Sequence, residues 1–266
     1  MIVFSARAKA TLWTVFGMVF ALLVVLPFAV IAVAAFAGSW NGVLPSALTL
    51  GHLRDALAGD NLSSLRVSVE TAVIASVLAV AVGSWAAIAV RTAPRPVGRT
   101  VDVLFHLPVS VPSVVVGLGL LIAFSKPPLL LNGTAALVVL AQAVLVLSFS
   151  YSTVSAAVLR LDPQQERVAF SLGASRARVL LRVVVPALLP AIGAAAGLAV
   201  ALCMGELGAT IMVYPASWRT LPVSIFTASD RGDLYFAAAS ALLLIAVTFV
   251  AVAVTGALTR RRRARS

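Results

Sequence analysis

Asp162-Pro163-Gln164-Gln165-Glu166-Arg167-Val168-Ala169-Phe170-Ser171-Leu172-Gly173-Ala174-Ser175, continuing from Arg176 to Pro186, is a polar, Arg-rich segment between two apolar stretches of membrane length. Its turn chemistry predicts two short helices around a glycine. Asp162 stands at an N-cap, Pro163 fits the first helical turn, and Gln165 lies at capping-box spacing. The first helix runs to Leu172, and Gly173 supplies the left-handed residue that ends it. Ser175 then caps a second helix over residues 176–185, which leads into Pro186. With Val168, Phe170 and Leu172 set among charges, the segment reads as a compact knob built to meet another protein. The alternative is an amphipathic loop lying on lipid headgroups; the cap and turn chemistry favours the knob.

The chain on either side is membrane material. Of its 266 residues, 61% are hydrophobic and 11% charged, against about 45–50% and roughly 25% in a soluble domain. A helical span takes about 20 mostly apolar residues. Six stretches qualify: 12–37, 68–90, 107–124, 134–159, 188–213 and 234–258. None alternates polar and apolar residues as a barrel strand would, so the fold class is all-α, polytopic, with six transmembrane helices.

The net charge of +11 raises nucleic acid as a partner, but the placement of the charges argues against it. Fifteen basic residues fall on one side of these spans, in the two terminal segments, the 91–99 connection and the 160–182 connection. The other side holds five: Arg54, Arg66, Lys126, Arg219 and Arg231. The positive-inside rule then makes both termini cytoplasmic, and the Arg260–Arg263 run a headgroup anchor. Ala35-Phe36-Ala37 imitates a signal-peptidase site, yet the apolar run before it is nearer twice the length of a signal h-region, so an uncleaved anchor is expected. The lone Cys203 lies within a span, which leaves neither a disulfide framework nor a thiol metal site.

One domain is expected over residues 1–266, with a membrane core at 68–258 and the cytoplasmic loop at 162–185. Residues 38–67 read as an outer loop with a short surface helix at 50–57. In the connection 214–233, apolar Leu221, Val223, Ile225 and Phe226 either lie along the membrane surface or dip back into the protein. The third span opens His106-Leu107-Pro108-Val109-Ser110-Val111-Pro112. Each proline removes a helical hydrogen bond, so an irregular start or a kink is expected. Freed backbone groups are tolerated in a membrane only under protein or beside a cavity, which puts this helix inside the bundle, as a pathway element or simply a kinked packing helix.

Glu206 is the one acidic residue deep in a late span. It must face a cavity or a partner, as a gate residue or as a structural carboxylate bonded to backbone or to Thr210. Gly205 and Gly208 beside it permit close helix approach. Gln142, Ser148, Ser150, Ser152, Thr153 and Ser155 form a polar run suited to helix packing or to lining a route. Arg231-Gly232-Asp233 reads as a turn entering the sixth span, with Asp230 and Asp233 at its N-terminus. There is no phosphate loop, no zinc motif and no catalytic constellation, so neither enzyme chemistry, cofactor nor metal is expected.

At this point the residues resemble a family. The loop is similar to the EAA loop of ABC-importer permeases, whose pattern is Glu-Ala-Ala, three residues, Gly, nine residues, Ile, one residue, Leu-Pro. Ala169, Gly173 and Pro186 keep its spacing, and Val183 and Val185 take the Ile and Leu positions. Arg167 and Val168 replace the Glu and first Ala, while a glutamate stands one position earlier at Glu166. Leu107-Pro108 through Pro112 and Gly117 resembles the third-span signature of molybdate, sulfate, iron and thiamine permeases. Gly205-Glu206-Leu207-Gly208-Ala209-Thr210 resembles a Gly-Glu-Phe-Gly-Ala-Thr stretch of the same group. Tyr214-Pro215, Thr220-Leu221-Pro222, Ile225-Phe226 and Asp230-Arg231-Gly232-Asp233 look most like permeases for 2-aminoethylphosphonate.

The resemblance implies a type I permease fold in the bacterial inner membrane and a second permease subunit, identical or not. It also implies a dimer of ATPase subunits and a periplasmic or lipid-anchored binding protein. ATPase coupling would fall to Glu166, Arg167, Ala169, Phe170, Gly173, Ala174 and Pro186. The translocation path or gate would use Pro108, Pro112, Gly117, Gly205, Glu206, Gly208 and Thr210. The substrate would be 2-aminoethylphosphonate, with molybdate, sulfate, ferric iron or thiamine as alternatives. A secondary transporter or channel, the rival class, would show inverted repeats or paired intramembrane charges, and neither is evident.

Overall fold

The computed structural model describes residues 6–42 and 44–263. Helices dominate it, as they must where backbone groups lie in hydrocarbon and need partners within the chain. Helices α1 (Ala6–Phe20) and α2 (Leu26–Ala35) are joined by a π-helical turn, Ala21–Val25. Pro27, at the start of α2, has no N–H and its ring would press on the carbonyl four residues back, so the wider turn falls directly before it. Strands β1 (Ala37–Ser39) and β2 (Ala47–Leu48) pair antiparallel in the loop after α2, ahead of α3 (Gly51–Ala56), the expected short helix. Helix α4 (Gly59–Val90) begins well before the apolar run that marked it.

The third span departs most from expectation. Helix α5 (Arg95–His106), unforeseen, gives way to a 3-10 turn at Leu107–Ser110, and α6 (Ser113–Ala123) then leaves at 106°. Pro112 sets the break: it keeps the preceding Val111 out of the helical region, and Val111 is extended at φ −112° and ψ 135°.

Helix α7 (Ala135–Val158) is an uninterrupted rod. Helices α8 (Pro163–Ser171) and α9 (Arg176–Val179) flank the Gly173 turn. A second π turn, Leu180–Val184, joins α9 to α10 (Val185–Met204), so the expected short second helix is instead the start of the fifth span. Pro186 stands just behind this π turn as Pro27 does behind the first. The expected span at 188–213 is also cut short, because α10 ends at Met204 and α11 (Thr210–Val213) restarts after an irregular stretch. A 3-10 turn at Ala216–Trp218, α12 (Leu221–Asp230) and α13 (Leu234–Arg263) complete the chain.

Among the described residues, five helices are long and apolar enough to cross a membrane, and the bent α5–α6 pair makes six if it counts as one span. Contacts group the chain into two compact units, the first built from the chain up to Leu62 with Ser224–Leu243 and the second from Ser63–Val223 with Leu244 onward. In the first, Ala35, Ala56 and Ala239 are fully buried beneath Phe36, Leu53 and Phe236. In the second, Leu137, Val138 and Ala141 of α7 pack against Ala209 and Val213. Here the backbone N–H of Leu221 donates to Ser68 Oγ (2.7 Å) and Trp218 Nε1 donates to Thr71 Oγ1 (2.9 Å). Leu221 and Val223 are buried, so there the connection dips inward as one of its two readings had it, whereas Ile225 is partly buried and Phe226 is 46% exposed.

Candidate functional sites: a capped knob and a broken helix

The knob is built by local chemistry. Asp162 accepts the backbone N–H of Gln164 (2.9 Å) and Ser175 accepts that of Arg178 (3.4 Å), so both helices begin on side-chain caps. Gln165 makes no return bond of the capping-box kind. At the turn, Gly173 adopts φ +81°. The Gly173 N–H donates to Phe170 O (2.9 Å) and the Ala174 N–H to Ala169 O (3.1 Å), the paired bonds of a Schellman motif. Glu166 turns inward and takes an ion pair with Arg91, the first residue after α4. Arg167, Val168, Phe170 and Leu172 are exposed, and Ala169 is half-buried.

Glu166, Arg167, Ala169, Phe170, Gly173 and Ala174 thus share α8 and its turn. Pro186 does not; it lies beyond the π turn, at the start of α10. Arg91 was missing from the sequence expectation. It entered there only as one more basic residue, and nothing local ties it to a residue 75 positions away.

The second site is the interruption between α10 and α11. Glu206 Oε1 accepts the Ala209 N–H (2.8 Å), while Oε2 accepts both the N–H (2.9 Å) and the hydroxyl (2.6 Å) of Thr210. Three donors on one carboxylate hold the turn and start α11. Gln142 Nε2 of α7 donates to Thr210 Oγ1 (3.1 Å). Because the Thr210 hydroxyl hydrogen goes to Glu206, the amide must present its nitrogen here, and Gln142 Oε1 is left buried without a partner.

Helix α6 meets this stretch backbone to backbone. A Cβ on Gly117 would lie 2.7 Å from Ala209 Cα and O, and one on Gly208 would lie 2.2 Å from Ser113 Oγ. Gly117, Glu206, Gly208 and Thr210 therefore form one assembly, with Pro112 at the head of α6. Gly205 closes α10 but meets only Ala201 O, at 3.9 Å. Pro108 is elsewhere, in the 3-10 turn before the break. Beside that turn, Asp102 accepts the Tyr151 hydroxyl, Ser148 donates to Phe105 O, and Ser152 bonds His106 Nε2 (2.9 Å). The fourth-span hydroxyls either join these links or bond back to their own helix, as Ser150 and Thr153 do.

Helices long and apolar enough to cross a membrane, one bent pair among them, together with an exposed folded knob make this an α-helical membrane protein. The chain belongs to the family of binding-protein-dependent transport system inner membrane components, whose model matches residues 79–264, and it is a permease subunit of an ABC importer. It is 40% identical over 250 residues to a Salmonella paratyphi A protein named as the permease PhnV of a 2-aminoethylphosphonate transport system, covering 94% of each chain. It is 32% identical over 210 residues to the molybdenum transport system permease ModB of Mycobacterium bovis, covering 74% of this chain and 79% of that one. In fold it is similar to a chain of a crystallised bacterial ABC transporter that imports alginate, with a TM-score of 0.75, 16% identity, and 96% and 98% of the two chains covered.

Proposed function

We propose that the chain carries 2-aminoethylphosphonate across the bacterial inner membrane. The observation that carries this reading is the 40% identity, over 94% of both chains, to the protein named for that transport. Separate ATPase subunits hydrolyse ATP, a second permease completes the path, and a binding protein outside the membrane delivers substrate. The knob of α8 and α9 seats in the ATPase and moves when ATP closes it. That motion switches the helices between inward-open and outward-open states. Gly117, Glu206, Gly208 and Thr210, with Pro112 at the head of α6 and Gly205 next to Glu206 in the chain, form the path or gate, and Pro108 serves it from the 3-10 turn before the break. Both termini lie in the cytoplasm, with the side that holds fifteen of the twenty basic residues.

Two measurements test this. A strain lacking the chain is expected to lose uptake of radiolabelled 2-aminoethylphosphonate and to regain it with the chain restored. Unchanged phosphonate uptake with lost molybdate uptake would replace this substrate by the one in the name of the 32% identical relative. For the knob, Gly173→Trp is expected to abolish uptake while the protein stays in the membrane; normal uptake by that variant would end the docking assignment.

A further inference from the structure

We propose that the charge this chain offers its ATPase subunit is positive and carried by Arg167, while Glu166 is a positioning residue whose partner is Arg91 of the same chain. The inference rests on the reading of α8 as the ATPase-docking element and specifies the chemistry of the surface that receives it. Successive helical residues point about 100° apart, so Glu166 and Arg167 point in different directions from α8. The Glu166 side chain is 19% exposed and holds Arg91, itself 23% exposed. Ala169, on the same face of α8, is also turned toward the protein.

Arg167 stands exposed one position on, and among the described residues it has neither an ion pair nor a side-chain hydrogen bond. Arg176 and Arg178, past the Gly173 turn, are likewise exposed and unpaired. Beside these guanidiniums stand Val168 and Leu172, 57% and 82% exposed. A surface that matches them has an apolar floor and carboxylates on its rim, since like charge there would repel and unmatched apolar area would stay wet. A carboxylate also suits the planar, forked guanidinium. Anionic headgroups would satisfy the charge alone. The two side-chain caps and the Schellman turn hold α8 and α9 in one shape, which suits a protein groove rather than a fluid surface.

The Arg91 tie gives the knob a mechanical connection. It fastens α8 to the end of α4, the helix whose Ser68 and Thr71 bond Leu221 and Trp218.

The test uses the full permease co-produced with its ATPase subunit and binding protein. ATPase retained on the purified permease is measured first for the wild type; no retention overturns the docking role itself. Given retention, Arg167→Glu is expected to lower it about tenfold and Arg167→Lys far less. Equal retention by Arg167→Glu overturns the charge assignment alone, as does unchanged retention with lost binding to phosphatidylglycerol vesicles. Arg91→Glu and Glu166→Arg are each expected to reduce uptake about fivefold, and the double exchange to recover most of it. Failure of the double exchange to restore uptake, with the protein present in the membrane at the wild-type level, overturns the internal tie.

Discussion

Gly117 and Gly208 sit on either side of one contact, and the atoms they face predict different costs. The Cβ of Gly117→Ala would meet backbone of Ala209, which cannot move aside, whereas that of Gly208→Ala would first meet the rotatable hydroxyl of Ser113. Overpacking costs about 1–3 kcal/mol, and Gly117→Ala is expected at the upper end. Thermal melting of the purified protein should therefore fall further for Gly117→Ala than for Gly208→Ala. Glu206→Gln turns an amide NH2 toward backbone N–H groups that need acceptors, and a loss of about 1–3 kcal/mol follows. A melting temperature equal to wild type would mean that the three bonds to Glu206 do not hold the turn. The bonding of Glu206 to Thr210 was legible in sequence as one of two readings, because four residues is one helical turn. Gln142, the further partner of Thr210 across 68 residues, was not.

The elements owe their interruptions to prolines, though the form of each interruption depends on its neighbours. Pro27 and Pro186 each follow a π turn inside a continuous rod, while Pro108 and Pro112 coincide with a 3-10 turn and a 106° bend. Two prolines four apart block repair within a single turn, and the extended Val111 then redirects the chain. Pro112→Ala frees Val111 to become helical. Spin labels at Leu104 and Leu118 are expected to move apart in that variant, with phosphonate uptake reduced about tenfold. An unchanged distance would assign the bend to packing by α7 and the 205–210 segment instead. The sequence marked the third span as irregular but missed α5. Its polar residues, Arg95, Arg99, Asp102 and His106, recur on one helical face and broke the apolar run that a span needs.

At the scale of the whole molecule, the basic residues divide fifteen to five between the two sides of the spans, which orients the chain as proposed above. Ser46 in the loop between β1 and β2 and Ser171 at the end of α8 are both exposed, and the native Cys203 is 3% exposed, so engineered thiols there report cleanly. A membrane-impermeant maleimide is expected to label Ser46→Cys in spheroplasts and Ser171→Cys only after permeabilisation. The reverse pattern would invert the topology and remove the knob from any ATPase. The N-terminal rod presents Trp13, Phe16, Phe20 and Phe28 outward, each about half exposed or more. Such a surface is stable in lipid or against another subunit and unstable in water.

The sequence by itself determined the helical class, the number of apolar stretches, the caps of the knob and the Gly173 turn. Each of these depends on composition or on contacts within about four residues, which is the range of helix and turn hydrogen bonds. Tertiary structure decided the form each break takes, that α9 continues into α10, that Leu221 and Val223 are buried, and that Glu166 belongs to Arg91. Those outcomes depend on side chains dozens of positions apart competing for the same donors, acceptors and space. No local pattern records which of the twenty basic residues Glu166 will meet.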